Sequence, residues 1–236
     1  MRLRLQESLE QTVASRAHEL EAQNFALQFQ MNPHFLYNTI TNISILAEEA
    51  DQMTIVAFCQ DLSSMLRYIS SHDTSPVRLA EELEHTTNYI NLMKLRYEDN
   101  IEFHVDIPKQ LQIIYIPKLI IQPFVENAFK YGIHVNPPWI ISITSQVDNH
   151  RWKLIIRDNG QGFQKNHLQQ LKHLIAITDP YHRIPNLKIN GMGLINVYAR
   201  LKLLYNNHCT LDIDNHPAGG AVITIIVNKE VSTDNA

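Results

Sequence analysis

The first 131 residues contain no glycine; all seven glycines fall between Gly132 and Gly220. Glycine serves where the backbone takes φ > 0 or where another group must come close. Its absence leaves the first half to be read as helices with few tight turns. Cysteine is nearly absent too. Cys59 and Cys209 stand far apart, which excludes a disulfide framework and a four-cysteine zinc site, and makes a reducing compartment the default. No run approaches the roughly 18 apolar residues of a membrane-spanning helix. The most apolar stretch, Ile113 to Val125, is broken by Tyr115, Pro117, Lys118, Gln122 and Pro123. The opening MRLRLQESLEQ has no apolar core and is not read as a signal peptide. A basic surplus is also lacking. Net charge is −4 with His neutral, which argues against direct binding of nucleic acid.

What is present suffices for a core. Of 236 residues, 44% are hydrophobic and 19% charged, so the chain is globular and forms one large domain or two modest ones. Residues 1–131 carry 10 Lys+Arg against 17 Asp+Glu, whereas residues 132–236 carry 10 against 7. A mildly positive second half suits an anionic ligand, and equally suits plain solvated surface.

Val13, Ala17, Leu20, Asn24, Leu27 and Met31 follow a 4-3-4-3-4 spacing, the stripe of an amphipathic helix suited to a coiled coil. Pro33 interrupts it. A second stripe, Leu36, Ile40, Ile43, Ala47 and Ala50, resumes in a new phase. At about 100° per residue, His34 then lies roughly opposite this stripe, with Asn38 and Thr41 on its own side. The spacing predicts a second helix over Thr54 to Ser71, with Ile55, Phe58, Leu62, Met65, Leu66 and Ile69 on its apolar side. A third is predicted from Leu79 to Tyr97. One helical hairpin cannot bury its own apolar faces, and two make a four-helix bundle, so a homodimer is expected.

From Ile101 the pattern mixes. Strands are predicted at Ile101 to Ile107, Ile140 to Val147, Arg151 to Asp158, Thr210 to Asp214 and Ala221 to Val227. Helices are predicted at Lys118 to Tyr131 and Gly193 to Tyr205. This is a layered domain of about 130 residues.

Three segments there carry chemistry. In Asp158-Asn159-Gly160-Gln161-Gly162, an aspartate at a strand end can accept from an amino group, and the glycines let backbone approach a ligand; the sequence is also an ordinary turn. Gly191-Met192-Gly193 opens a helix, where bare N–H groups form an anion site, or merely a helix start. Asn127, Lys130 and Tyr131 share a helix face and offer an amide oxygen, an ammonium and an aromatic ring; a solvated face reads the same way. No GxxxxGK[ST] or GxGxxG loop is present. His134, His150, His167, His173, His182 and His208 show no metal-ligand spacing.

Taken in order, QPFVENAFKYG, DNGQGF and GMGLINVYARLKLLY resemble the N, G1 and G2 boxes of the Bergerat-type (GHKL) ATP-binding domain of sensor histidine kinases. LQFQMNPHFLYNTI resembles the phosphoacceptor segment of their LytS/YesM-type subgroup. The resemblance implies an α+β protein in which a helical dimerisation and phosphoacceptor region precedes a Bergerat-type α/β sandwich. It divides into a coiled-coil input helix at 1–30, a helical histidine-phosphotransfer region at 18–99 and the ATP-binding domain at 100–230. His34 would be the phosphoacceptor, with Asn38 orienting its ring. Asn127 would ligate Mg²⁺, Lys130 would meet a phosphate, and Tyr131 would lie against adenine. Asp158 would accept from the adenine amino group. Gly160 and Gly162 would shape the pocket, Gly191 and Gly193 would lie under the phosphates, and about Phe163 to Asn190 would form a mobile lid. Asn196 and Arg200 match the subgroup without an assigned role.

Function follows from the same resemblance: ATP-dependent autophosphorylation on His34 and transfer to a response regulator aspartate. The working unit would be a homodimer in the cytoplasm. Its parent protein would sit in the bacterial inner membrane, through a sensor region absent from this chain. Departures qualify this. Phe35 stands where other histidine kinases carry an acid after the phosphoacceptor, so the base that activates His34 is open, and a non-catalytic ATP-binding scaffold is the alternative. Pro123 stands where hydrolytic relatives carry a glutamate, which disfavours an ATPase.

Overall fold

A computed structural model describes residues 33–70, 75–132, 135–148, 150–177 and 192–228. The stripe from Val13 to Met31, the input helix at 1–30 and Gly191 lie outside the described residues. The chain divides into two compact units, Met1–Ser70 and Ser71–Ala236.

The described residues of the first unit form a hairpin of α1 (Pro33–Glu49) and α2 (Met53–Ser70). Pro33 opens α1, where its missing N–H would have had no helical partner. Asp51 turns the chain with φ 56°, and Gln52 N–H donates to the Ala47 carbonyl at 2.8 Å. Tyr37 Oη and Ser70 Oγ join the open end at 2.7 Å. Ile40, Ala47, Cys59 and Met65 are buried between the helices. The expected stripe holds only in part. Ile43 is 46% exposed, Ala50 falls in the turn, and half-buried Ser44 takes the inner position. On α2, Ile55, Phe58 and Ile69 are exposed as well.

The second unit holds the main sheet, in the order β2-β4-β5-β7-β6: β2 (Ile101–Asp106), β4 (Trp139–Val147), β5 (Arg151–Asp158), β6 (Cys209–Asn215) and β7 (Ala221–Asn228). β2 and β4 are parallel; the other neighbours are antiparallel. Alternation puts Trp152, Leu154 and Ile156, Leu211 and Ile213, and Ile223, Ile225 and Val227 on one buried face. Register pairs Ile156 with Ile223 and Leu154 with Ile225, so apolar side chains meet across strands. Against this face pack α3 (Leu79–Tyr97), α5 (Gln122–Gly132), α6 (Lys165–Ile177) and α7 (Met192–Tyr205). A minor pair, β1 (Val77–Arg78) and β3 (Tyr115–Ile116), and the single turn α4 (Lys109–Gln112) flank them. The class is α+β, as expected.

α3, which the sequence reading groups with the helical region through residue 99, packs with the sheet-bearing unit. Two features differ from the sequence reading. α5 begins at Gln122, not Lys118. Pro123 fits a first turn, but its ring would clash with the carbonyl four residues back if the helix ran through. Of the segment from Phe163 expected as a mobile lid, Lys165–Ile177 is the helix α6, with Leu171 and Ile175 in the core. Residues 178–191 lie outside the described residues.

Candidate functional site

The start of α5 is held from two sides. Glu82 on α3 is fully buried and accepts from the N–H groups of Leu119, Ile120 and Ile121 at 2.5, 2.9 and 3.2 Å. Its charge lies at the helix N-terminus, where an anion is favoured. Arg200 on α7 donates through Nη1 to the carbonyls of Lys118 and Leu119 at 3.0 and 3.3 Å. Leu119 takes φ 57° within this clamp. The clamp fixes where α5 starts, and therefore where Asn127, Lys130 and Tyr131 sit. It gives Arg200 a structural task that the sequence left open.

The loop after β5 is fixed as closely. Asn159 donates to the Pro138 carbonyl at 2.8 Å and accepts from Ile140 N–H at 2.8 Å, which ties it to the start of β4. A Cβ on Gly160 would come within 2.8 Å of the Gly132 Cα, so this glycine lets the loop abut the end of α5. Gly162 takes φ 71°, beside the Asn215 amide. Asn215 accepts from Phe163 N–H at 2.7 Å and donates to the Phe163 carbonyl at 2.8 Å.

Between these elements lies a cleft of about 360 Å³, within the size range of small-molecule sites. Asn127, Tyr131, Asp158 and Gly162 line it, with Phe124, Ala128, Leu194 and Ile223 as apolar walls. A smaller cleft of about 120 Å³ adjoins it, lined by Glu126, Asn127, Lys130, Tyr131 and Gly193 among others. His167 lines both. Lys130 Nζ lies 5.2 Å from the centroid of the Tyr131 ring. Gly160 is not in the lining of either cleft; it stands behind Asp158.

Asp158 is the half-buried acid of the larger cleft. Its Oδ1 accepts from Gly160 N–H at 2.7 Å and Ala221 N–H at 3.2 Å. No described residue donates to Oδ2. Burial pushes the carboxyl up, and the two backbone N–H groups pull the other way. A ligand amino group on Oδ2 would offset the desolvation. An adenine fits that demand and the apolar walls. The smaller cleft offers an amide oxygen, a carboxylate and an ammonium, a donor set that fits phosphates with a hard cation such as Mg²⁺.

The structure thus brings Asn127, Lys130, Tyr131, Asp158, Gly162 and Gly193 around adjoining clefts. His34 and Asn38 are on α1 of the other unit; Asn38 is exposed, and the His34 side chain lies outside the described residues. Sequence reasoning missed Glu82, Glu126, His167 and Asn215. Glu126 was in plain view between Val125 and Asn127; the partners of Glu82 and Asn215 lie 37 or more residues away.

A histidine kinase family model matches residues 22–101. A model described as histidine kinase-, DNA gyrase B- and HSP90-like ATPase matches residues 116–231. The chain is 29% identical to an uncharacterized sensor-like histidine kinase of Staphylococcus epidermidis, over 92% of this chain and 40% of that protein. It is 29% identical to the sensor histidine kinase YesM of Bacillus subtilis, over 98% and 38%. It is 32% identical to the sensor protein LytS of Oceanobacillus iheyensis, over 87% and 34%. The chain therefore spans about two fifths or less of these relatives.

Proposed function

Because the chain belongs to the sensor histidine kinase family of the LytS/YesM type, we propose that it binds ATP in the larger cleft and transfers the γ-phosphoryl group to His34. The observation that carries this reading is Asp158: a half-buried carboxylate with one oxygen committed to backbone and the other open to a cleft. Asp158 would accept from the adenine amino group, Tyr131 would lie against the ring, and Lys130 would meet a phosphate. Asn127 would hold Mg²⁺ through its amide oxygen, and Gly193 would underlie the phosphates, together with Gly191. Bound Mg²⁺ offsets the charge of the triphosphate. The transfer forms a phosphorus–nitrogen bond at the imidazole, breaks the bond to the β,γ-bridging oxygen, releases ADP and sheds the ring proton. Asn38, one turn from His34, would orient the ring.

Dimerisation through the hairpin belongs to the same proposal. Ile43, Ile55, Phe58 and Ile69 are exposed, and a second copy would cover them. A receiver-domain aspartate of a response regulator would take the phosphoryl group onward. No described helix is long and apolar enough to cross a membrane; a sensing region and a bacterial inner-membrane location for the parent protein are part of this reading. The second reading, a non-catalytic ATP-binding scaffold, draws on Phe35, which leaves no acid directly after His34.

Labelling decides between them. With Mg²⁺ and γ-labelled ATP, the chain should acquire an acid-labile, base-stable label that His34→Gln abolishes while ATP affinity stays unchanged. Binding without label supports the scaffold. Label persisting in His34→Gln overturns the phosphoacceptor assignment.

A further inference from the structure

A buried polar chain runs from the core of the second unit to the smaller cleft. His85, 2% exposed on α3, bonds through Nε2 to Oε1 of Gln122, itself 7% exposed. Gln122 Nε2 donates to Glu126 Oε1 at 2.6 Å. An amide has one accepting and one donating end, so the chain has a direction. The imidazole N–H donates, the amide relays, and the carboxylate accepts. No described residue donates to Oε2 of Glu126. Lys130, one helical turn on, is the expected i,i+4 partner. Among the described residues no ion pair joins the two, and the Lys130 ammonium lies over the Tyr131 ring instead.

Glu126 lines the smaller cleft with Asn127 and Lys130. On the nucleotide reading above, on which this inference rests, the phosphates lie there. A carboxylate beside a polyphosphate repels it. A divalent cation between them reverses the sign. Mg²⁺ takes oxygen ligands and is commonly held by one or two carboxylates together with phosphates and waters. We propose that Glu126 is an additional ligand of the cation that accompanies ATP, through its open oxygen. Gln122 and His85 are positioning residues that hold the other oxygen.

Calorimetric titration of the full chain with ATP, once in Mg²⁺ and once in EDTA, tests this. Glu126 is exposed, so Glu126→Gln leaves the fold intact. It should weaken binding about tenfold or more in Mg²⁺ and leave binding in EDTA unchanged or tighter, because a repulsive charge has gone. Glu126→Asp should recover part of the loss. Gln122→Met, which keeps the carboxylate but cuts the chain, should show a smaller loss confined to Mg²⁺. Equal losses with and without metal, or no loss, overturn the proposal while the nucleotide reading stands. A wild-type chain that binds ATP in neither condition overturns that reading and this inference with it.

Discussion

Asp158→Asn tests the adenine site while sparing the fold. Both backbone hydrogen bonds end on Oδ1, from Gly160 at 2.7 Å and Ala221 at 3.2 Å. An asparagine amide oxygen can accept both. Its NH₂ is then forced into the place of Oδ2, where it meets the adenine amino group donor to donor. Loss of a hydrogen bond to a charged group costs about 1.5–3 kcal/mol, or roughly 10–150-fold in Kd. Stability should move the other way. Burial raises the Asp158 pKa above 3.8, so the ionised carboxylate is a liability of the folded state. The stability it contributes is present below its unfolded pKa and lost as pH rises through the folded one. Asparagine has no such loss, so the nucleotide-free variant should melt no lower than wild type at pH 7.5. Calorimetry with ATP and a thermal melt of the same sample read both effects. Affinity within twofold of wild type would remove Asp158 from the site. Lost affinity together with a lowered melting point would mean that the loop, not the acceptor, had been broken.

Gly220→Ala should destabilise by about 1–3 kcal/mol or more, because the added Cβ would stand 1.9 Å from the Asp158 carbonyl oxygen at φ 87°; a shift in urea midpoint measures it. Glu82→Gln should cost about 1.5–3 kcal/mol, since an NH₂ group would face one of the three N–H groups that Glu82 now accepts, and the variant should lose ATP affinity as α5 shifts. His85 is held below its ordinary pKa of 6.5, chiefly by burial. Its neutral form therefore supports the fold above about pH 6.5, and that contribution is lost as pH falls toward the lower folded value. Urea midpoints between pH 7.5 and 5 should decline in wild type and less steeply in His85→Gln; equal slopes would refute the assignment.

The sheet was legible because one face is buried. Strands β5 and β7 alternate residue by residue, and both were placed to within one residue of their ends. α5 was legible as a helix, but not in its first turn. There the structure depends on Glu82 and Arg200, which reach residues 118–121 from 37 to 82 positions away. Local pattern carries no sign of such contacts. α6 is a different failure. Leu168, Leu171 and Ile175 carry helical spacing in the sequence, and the resemblance to a mobile lid outweighed it. Strands of two residues, such as β1 and β3, are too short for any period to register.

The glycines around Asp158 change meaning between sequence and structure. Read in a motif, Gly160 looked like a residue that admits a ligand. In the fold it admits Gly132, and through Gly132 the whole end of α5. Gly220, outside every motif, sits just before β7, where an added Cβ would stand 1.9 Å from the carbonyl oxygen of Asp158. The acid is thus enclosed by backbone on two sides, which is why one of its oxygens is committed and its carboxyl is partly desolvated. A side chain that must be half-buried, charged and still open at one oxygen needs neighbours without side chains of their own. The absence of glycine from the first 131 residues and its concentration in the last 105 mark where that demand falls.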